Sequence, residues 1–419
     1  MSEESPLQVT PGRSLSLLKA RSGLIARGLR DAAELVTQNV PLLSTRRLAE
    51  QGDAAAQYEL GEAYYKGHGV PRDYAEARVW FRKAADQFHP YAISDLGDMY
   101  ERGEGVPADQ TEASHFYLRA ADIAIADGGD WDPDWVLGAV WQGAQYGHAD
   151  AQFFLGCCYA SGKSMLQQDH TEAVKWYRKA ADQGHVEAQF NLGWAHENGK
   201  GVIQDYGEAA KWWRKAAEQG YSQAQYNLGW ADRNGRGVAQ DHGEAGIWYC
   251  KAAQQGHADA QFELGRMYYG GEGVPQDHTE AVKWYRKAAD QGHANAQHNL
   301  GVAYYYGKGV AQDFREAAEW VRRAAEQGNE TAMFALGYLC QAGQGLPQDH
   351  AKAAGWFRQA AERGNTPAQA SLGAIYRDGQ GVPQDYVQAH MWFNLSASVS
   401  SGDEQTRLSA ERDGACQRV

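Results

Sequence analysis

The chain has 419 residues, 43% of them hydrophobic and 22% charged, which excludes a disordered or fibrous protein and allows a large core. Its formal net charge is -13. Most of such a surface would repel a phosphate backbone, so we expect no nucleic-acid partner. No apolar stretch is long enough for a membrane span. The 5 cysteines show no CxxC pair and no repeated spacing, so we expect no disulfide framework and a cytoplasmic protein.

The first predicted element is an amphipathic helix over residues 14–36, in a segment that lacks the apolar run and cleavage site of a secretory signal. Two roles for this helix remain open: a cap on the elements that follow, or a helix that lies on a membrane surface. Residues 47–52 resemble the end of the second helix of the repeat described next. We therefore assign residues 1–55 to an N-terminal helical cap and a degenerate half-repeat.

Residues 56–403 are built from an internal repeat. A Leu-Gly pair recurs, in most cases every 36 residues. The leucines are Leu60, Leu96, Leu155, Leu192, Leu228, Leu264, Leu300, Leu336 and Leu372. The step from the second to the third leucine is 59 residues, so the second repeat carries an insertion. The sequence therefore predicts nine repeats of about 36 residues.

Each repeat predicts two helices, which we name helix A and helix B. In the sixth repeat, apolar side chains follow helical spacing until Gly271, a residue type that commonly ends a helix in the left-handed conformation. Asp277 followed by Glu280 then predicts a capping box, in which the Asp accepts from first-turn amides and the Glu reaches back to the Asp amide. Helix B runs from there to Gly292.

Helix B carries an aromatic side chain at one position in every repeat, which predicts a buried stripe. The stripe consists of Trp80, Phe116, Trp176, Trp212, Trp248, Trp284, Trp320, Trp356 and Trp392. A pair of helices cannot bury its apolar face alone, so consecutive pairs must stack. The predicted fold is therefore all-α: a right-handed superhelical solenoid of stacked antiparallel helix pairs.

The insertion, at about 123–150, predicts one further helix. Gly128 and Gly129 interrupt the chain, and Asp132 before Pro133 is a good helix start. We expect this inserted helix from Pro133 to about Tyr146. Residues 404–419 follow the last repeat and are predicted to form a C-terminal cap or tail.

The pattern AQ..LG..Y..G.GV..D...A..W...AA..G resembles the Sel-one-like repeat family, a relative of the tetratricopeptide repeats. This resemblance implies a protein-interaction adaptor or scaffold. The run DYVQAHMWFNL at 385–395 is similar to the last repeat of bacterial members, which implies a bacterial source. Some cysteine-rich bacterial relatives are linked to β-lactam binding and hydrolysis, and an enzyme of that kind is the alternative function. This chain lacks their paired cysteines, which weakens that alternative.

Catalytic and metal sites have little support in the sequence. The chain contains no GxSxG, HExxH or phosphate-loop signature, so we predict a protein that is not an enzyme and holds no cofactor. Histidines at equivalent positions of consecutive repeats should lie roughly 10 Å apart, too far to share a zinc ion. The histidines at one such position are His170, His242, His278 and His350. We therefore predict no metal site.

The candidate binding residues lie on helix A. The position two residues after the leucine varies widely, which indicates exposure, and it is tryptophan at Trp194 and Trp230. In the family's architecture helix A lines the concave surface. Asn191 and Asn227 lie three residues earlier on the same helical faces. Asn299 and Glu263 occupy the same position as these amides in other repeats.

These residues predict a groove for an extended protein or peptide. Amides can donate to and accept from a ligand's backbone, and indole rings supply anchor area. Glu263 predicts a preference for basic ligand residues. The alternative is that both tryptophans compensate for a ring lost two residues later, at His196 and Asp232. A shift of two residues rotates a helical side chain by roughly 200°, which argues against compensation but leaves it open.

The predicted function is a non-enzymatic interaction scaffold, in one version a regulator or immunity-type inhibitor of another bacterial protein.

Overall fold

The computed structural model describes residues 42–126, 133–162, 166–400 and 402–416. All regular secondary structure in these ranges is helical, as predicted. The chain divides into two compact units, Met1–Lys215 and Ala216–Val419. The amphipathic helix predicted at 14–36 lies outside the described residues, as do Gly128 and Gly129 of the insertion.

The described part of unit 1 starts with a short helix, continues as pairs of helices A and B, and includes the inserted helix. Its helices are α1 (Leu42–Glu50), α2 (Ala54–Lys66), α3 (Tyr74–Asp86), α4 (Pro90–Arg102), α5 (Gln110–Ala126), α6 (Pro133–Gln145), α7 (Ala149–Ser161), α8 (His170–Asp182), α9 (Val186–Asn198) and α10 (Tyr206–Glu218), the last of which runs into unit 2. The inserted helix is α6, and it starts at the proline where the sequence places it.

Unit 2 continues the alternation and ends with one unpaired helix. Its helices are α11 (Ser222–Asn234), α12 (His242–Gln254), α13 (Ala258–Gly270), α14 (His278–Asp290), α15 (Ala294–Tyr306), α16 (Phe314–Glu326), α17 (Glu330–Ala342), α18 (His350–Glu362), α19 (Thr366–Asp378), α20 (Tyr386–Val399) and α21 (Gly402–Cys416). Most helices have 13 residues, and this uniform length lets successive pairs stack in register.

The helix ends follow local sequence chemistry, with one difference from the prediction. Gly271 ends α13 with a φ of 73°, and Asp277 Oδ1 accepts from Glu280 N at 3.1 Å at the start of α14. The Glu280 side chain pairs with Lys283. The prediction that this Glu would reach back to the Asp277 amide is wrong, because that amide donates to the carbonyl of Tyr268 on helix A at 2.9 Å.

The Leu-Gly pair lets helices A and B approach closely. A Cβ placed on Gly265 would lie 2.7 Å from Tyr285 Cδ1 and 3.3 Å from the carbonyl oxygen of Ala281. No side chain fits in that space. The glycine is therefore a packing residue, and the buried ring of helix B lies directly against the backbone of helix A.

A ladder of buried glutamines ties three consecutive helices together. Gln261 Nε2 on α13 donates to the carbonyl of Ala253 on α12 at 3.0 Å. Gln291 Nε2, at the end of α14, donates to Gln261 Oε1 at 2.8 Å. The same two bonds recur around Gln57, Gln152, Gln225 and Gln297. Each repeat thus satisfies polar groups of its neighbours inside the core.

The aromatic stripe of helix B lies in the core, as predicted. Seven of its nine rings are buried, for example Trp248, which is 6% exposed. Trp284 and Trp356 are partly buried, which differs from the prediction for the whole stripe. A lysine three residues later often covers the ring: Lys251 Nζ lies 3.9 Å from the centroid of Trp248. The ammonium of such a lysine lies over the face of the indole, where a cation–π interaction is favourable.

Two helices outside the regular pairs take the place of a helix B. Gln57 Nε2 on α2 donates to the carbonyl of Ala49 on α1 at 3.1 Å, the same bond that joins regular repeats. Gln152 Nε2 on α7 makes this bond to Ala144 on the inserted α6, also at 3.1 Å. At the C-terminus, α21 buries Leu408 against the last repeat. These helices cover the faces that a stack of repeats leaves open.

Candidate protein-binding surface

We use the term helix A surface for the exposed side of the helices A, marked by the variable position two residues after each leucine. The residues there are Glu62, Asp98, Cys157, Trp194, Trp230, Arg266, Val302, Tyr338 and Ala374. Trp194 is 45% exposed and Tyr338 is 47% exposed. Glu62 is an exception, because it is buried and pairs with Lys66 at 2.9 Å. Exposure at this position therefore depends on the repeat.

In unit 1, Trp194 and Asn191 lie on the same helix, α9. The indole of Trp194 is the most exposed large ring on this helix. Asn191 is half-buried, and its side chain hydrogen-bonds the hydroxyl of Tyr177 on α8. An amide offers two donor hydrogens and an acceptor oxygen, so one bond to Tyr177 does not use its full hydrogen-bonding capacity.

The position two residues after Trp194, where other repeats have a buried ring, is occupied by His196. His196 is 7% exposed, and its Nε2 lies 3.3 Å from Arg178 Nη2. Burial, together with the nearby Arg178, lowers the pKa of His196 below its usual range. The imidazole is therefore neutral at pH 7, and it fills the place of the buried ring that other repeats have at this position. This arrangement argues against the interpretation that Trp194 compensates for a missing ring.

Carboxylates are concentrated on the helix A surface at the start of unit 1. On α2 and α4 they are Glu59, Asp95, Asp98 and Glu101, beside the buried Glu62, and the basic side chains of these two helices are Lys66 and Arg102. The Tyr117 hydroxyl lies 2.6 Å from Asp98 Oδ1 and 2.9 Å from Glu101 Oε2. Burial, with these two carboxylates, raises the pKa of Tyr117 far above its usual value, so the phenol stays protonated and remains a donor.

In unit 2, Trp230 lies on α11 and is less exposed than its counterpart in unit 1. Its ring is half-buried against the cluster that contains Tyr249, and Arg236 Cζ lies 5.3 Å from the ring centroid. The sequence predicted an exposed side chain at this position, whereas the ring of Trp230 is half-buried. Asn227 on the same helix accepts from Gln223 Nε2 at 3.3 Å.

Glu263 on α13 is held between two arginines. It pairs with Arg233 of α11 and, at 3.2 Å, with Arg266 of its own helix. Arg233 also pairs with Glu272 at 2.7 Å. Glu263 therefore presents no uncompensated charge to a ligand, and the guanidinium of Arg266 is the exposed charge at this place. The sequence contained little indication that the charge of Glu263 would be compensated, because Arg233 lies 30 residues earlier in the chain.

Asn299 on α15 is also engaged within the protein. Its side chain hydrogen-bonds the hydroxyl of Tyr285 on α14, and its Oδ1 lies 3.2 Å from His298 Nδ1. The equivalent position in the preceding repeat is Glu263. In that repeat, Tyr249 of α12 corresponds to Tyr285. Its hydroxyl is buried and has no hydrogen-bond partner among the described residues.

This difference between the two tyrosines gives a testable prediction. Tyr285→Phe removes a hydrogen bond and should lower the free energy of unfolding by about 1 kcal/mol. Tyr249→Phe removes a buried hydroxyl that has no partner, so it should leave stability unchanged or raise it by up to about 1 kcal/mol. Chemical denaturation of the two variants beside the wild type makes the comparison. A larger loss in Tyr249→Phe than in Tyr285→Phe would show that the assignment of hydrogen bonds is incorrect.

The predicted site residues are thus divided between the two units. Unit 1 contains Asn191 and Trp194, and unit 2 contains Asn227, Trp230, Glu263 and Asn299. Within unit 2, the bond from Arg233 joins Glu263 to the helix of Asn227 and Trp230. Sequence reasoning missed both arginines that hold Glu263.

The described ranges contain neither a candidate metal site nor a candidate membrane span. No group of three His, Cys, Asp or Glu side chains there could hold a metal ion. None of the helices in those ranges is both long and apolar enough to cross a membrane. Cys157, Cys158, Cys250 and Cys340 are free thiols.

Comparison with known proteins identifies the family. The Sel1 repeat model matches nine segments, 54–87, 90–123, 149–185, 186–221, 222–257, 258–293, 294–329, 331–365 and 366–399. No curated protein matches the chain. Among solved structures, a protective antigen present in uropathogenic Escherichia coli, which displays this repeat fold, is 32% identical, with 91% of each chain covered and a TM-score of 0.53. A Sel1 repeat protein from Oxalobacter formigenes is 33% identical, with 80% of this chain and 90% of that chain covered and a TM-score of 0.50. The chain therefore belongs to the Sel1 repeat family, with nine repeats.

Proposed function

We propose that this protein is a non-enzymatic scaffold that binds a protein or peptide partner on its helix A surface. The observation that carries the proposal is Trp194, an indole that is 45% exposed in a protein whose helix B aromatics are mostly buried. Large rings on a surface are typical anchors of protein interfaces. Sel1 repeat proteins in general mediate protein-protein interactions, which supports the same conclusion.

The proposed binding mode in unit 1 combines an anchor with polar contacts. A partner side chain packs on the indole of Trp194, while the Asn191 amide hydrogen-bonds the backbone of an extended segment. Asp98 pairs with Arg102 at 2.9 Å, but Glu101 accepts from the neutral hydroxyl of Tyr117 and keeps its charge, which favours a basic partner. The affinity should therefore weaken with added salt.

Unit 2 offers its own surface of different character. Trp230 with Arg236, and the exposed Arg266 beside Glu263, form a ring-and-arginine patch on α11 and α13. Asn227 and Asn299 are its polar positions. Arginine and aromatic side chains are both enriched at interface centres. We propose that a partner contacts this patch through acidic or aromatic residues.

A narrower version of the proposal makes the protein a cytoplasmic adaptor that regulates or inhibits another bacterial protein. It rests on the resemblance to bacterial adaptor repeats. The competing enzymatic function is tested with nitrocefin: we expect no turnover by the purified protein above that of a heat-inactivated sample. Clear turnover would replace the scaffold proposal with a β-lactam-hydrolysing one.

Site-specific crosslinking tests the proposed surface in the cell of origin. A photoreactive phenylalanine analogue at position 194 should give an adduct with a defined protein. The matched control carries the same analogue at Lys175, an exposed helix B residue of unit 1. We expect no such adduct there. Adducts of equal yield from both positions, or from neither, would contradict a binding site at Trp194.

A further inference from the structure

The repeats place an arginine of helix B over a tyrosine of the next helix A. Arg286 Cζ lies 5.5 Å from the ring centroid of Tyr304, and Arg358 Cζ lies 5.7 Å from that of Tyr376. Each arginine also donates to the hydroxyl of its tyrosine. Six of the nine helices B have arginine at this position: Arg82, Arg178, Arg214, Arg286, Arg322 and Arg358. The seam between repeats is thus shaped to hold a guanidinium.

Helix α12 lacks two cations that several other repeats have, the arginine at this position and a lysine three residues earlier. Cys250 stands at the arginine position, so within the described residues the ring of Tyr268 has no guanidinium over it. Ile247, which is 50% exposed, stands where three other repeats have a lysine paired with the carboxylate three residues earlier. The carboxylate of Glu244 accordingly forms no ion pair in the described part of the chain. The ring face of Tyr268 therefore lacks an arginine, and the carboxylate of Glu244 lacks a lysine.

A groove opens where these side chains are missing. It lies between α12 and α13 and has a volume of about 640 Å³, with Leu264 and Tyr268 on one side and Val274 beyond them. Gly246 widens it, because a Cβ there would lie 3.2 Å from Met267 Cε and 3.4 Å from Val274 Cγ1. Two other repeats have a buried valine at this position, Val174 and Val282.

The charge of the groove is acidic. Asp241 and Glu244 lie at its edge. Lys251 is also at the edge, but its ammonium lies over the ring of Trp248, at 3.9 Å from the centroid. A cationic side chain that enters the groove would therefore meet a carboxylate and an aromatic face together.

We propose that this groove binds an arginine side chain of a protein partner. The guanidinium lies over Tyr268 and pairs with Glu244, as the protein's own arginines lie over Tyr304 and Tyr376 in other repeats. Apolar partner residues on either side contact Ile247 and Val274. Arginine fits better than lysine, because a planar guanidinium stacks on a ring and pairs with a carboxylate at the same time. This site lies on a different face from the helix A surface and does not depend on the proposed function.

A pair of labelled peptides tests the proposal. The probes are Gly-Leu-Arg-Leu-Gly and the same peptide with citrulline, which has the shape of arginine without its charge. Fluorescence anisotropy with the full chain should show binding of the arginine peptide that is about tenfold or more tighter than that of the citrulline peptide. Equal binding of the two, or no binding of either at millimolar concentration, would overturn the proposal.

Two variants at one position make the test specific to the groove. Cys250→Arg introduces the residue that six other repeats carry, so its own guanidinium should fill the site and abolish peptide binding while the protein stays folded. Cys250→Ser leaves the groove open and should bind as the wild type does. Glu244→Gln should weaken binding about tenfold, and Val387→Ala, at an exposed residue of α20, should leave it unchanged. Undiminished binding by Cys250→Arg would show that the peptide binds elsewhere.

Discussion

Replacement of Trp248 by alanine is expected to lower the free energy of unfolding by about 3–5 kcal/mol. The indole is 6% exposed, Lys251 covers its outer face, and the ring belongs to the stripe that joins consecutive repeats. Its removal leaves a cavity between two helix pairs that are too rigid to close it fully. Chemical denaturation followed by circular dichroism measures the loss.

Trp194→Ala is the matched control for this prediction. Its ring is 45% exposed, so the same substitution should cost less than about 1 kcal/mol. A large difference between the two variants supports the assignment of one indole to the core and the other to a binding surface. Similar losses in both would show that Trp194 contributes to packing, in favour of the compensation interpretation.

Acidification from pH 6.5 to pH 4 should destabilise the protein, by about 2–3 kcal/mol from His89 alone. His89 Nδ1 caps α4 by accepting from Ala92 N at 3.3 Å, and its ring stacks on Tyr58. Burial lowers the pKa of His89 from 6.5 to about 4. Between these values the unfolded chain binds a proton that the folded protein does not. The stability is therefore complete above pH 6.5 and falls as the pH approaches 4.

Other histidines contribute in the same direction, and asparagine provides the control. Burial also lowers the pKa of His148 and of His257, the N-cap residue of α13. At the equivalent position of later repeats, Asn329 and Asn365 cap their helices without titrating. His89→Asn should therefore keep the cap and reduce the pH dependence of the melting temperature. An unchanged pH dependence in this variant would contradict the role given to His89.

The fold was predictable because each repeat carries its own helix signals. Gly271 and Asp277 end and begin helices through local chemistry, so both could be identified from the sequence. The glutamine ladder could not be identified from the sequence. The bond from Gln291 to Gln261 joins residues that are 30 apart and whose helices meet only after the repeats stack. For the same reason the sequence did not reveal that the backbone amide of Asp277 would donate to the carbonyl of Tyr268 and not to the side chain of Glu280.

The candidate site was less predictable than the fold. Trp194 and Trp230 occupy the same repeat position, yet one is exposed and the other is half-buried beside Arg236. Equivalent positions share a backbone geometry but not their neighbours, and the neighbours decide exposure and charge. Glu263 shows this most clearly, since its negative charge is compensated by Arg233 from the preceding repeat.

The role of the helix A surface as a binding site is tested most directly by one affinity measurement. The protein that crosslinks to position 194 is purified and titrated by calorimetry into the wild type and into Trp194→Ala. We predict that the variant binds about tenfold or more weakly, because it lacks the aromatic anchor, while it melts close to the wild type. Equal affinity in a folded Trp194→Ala variant would contradict a partner site at this tryptophan.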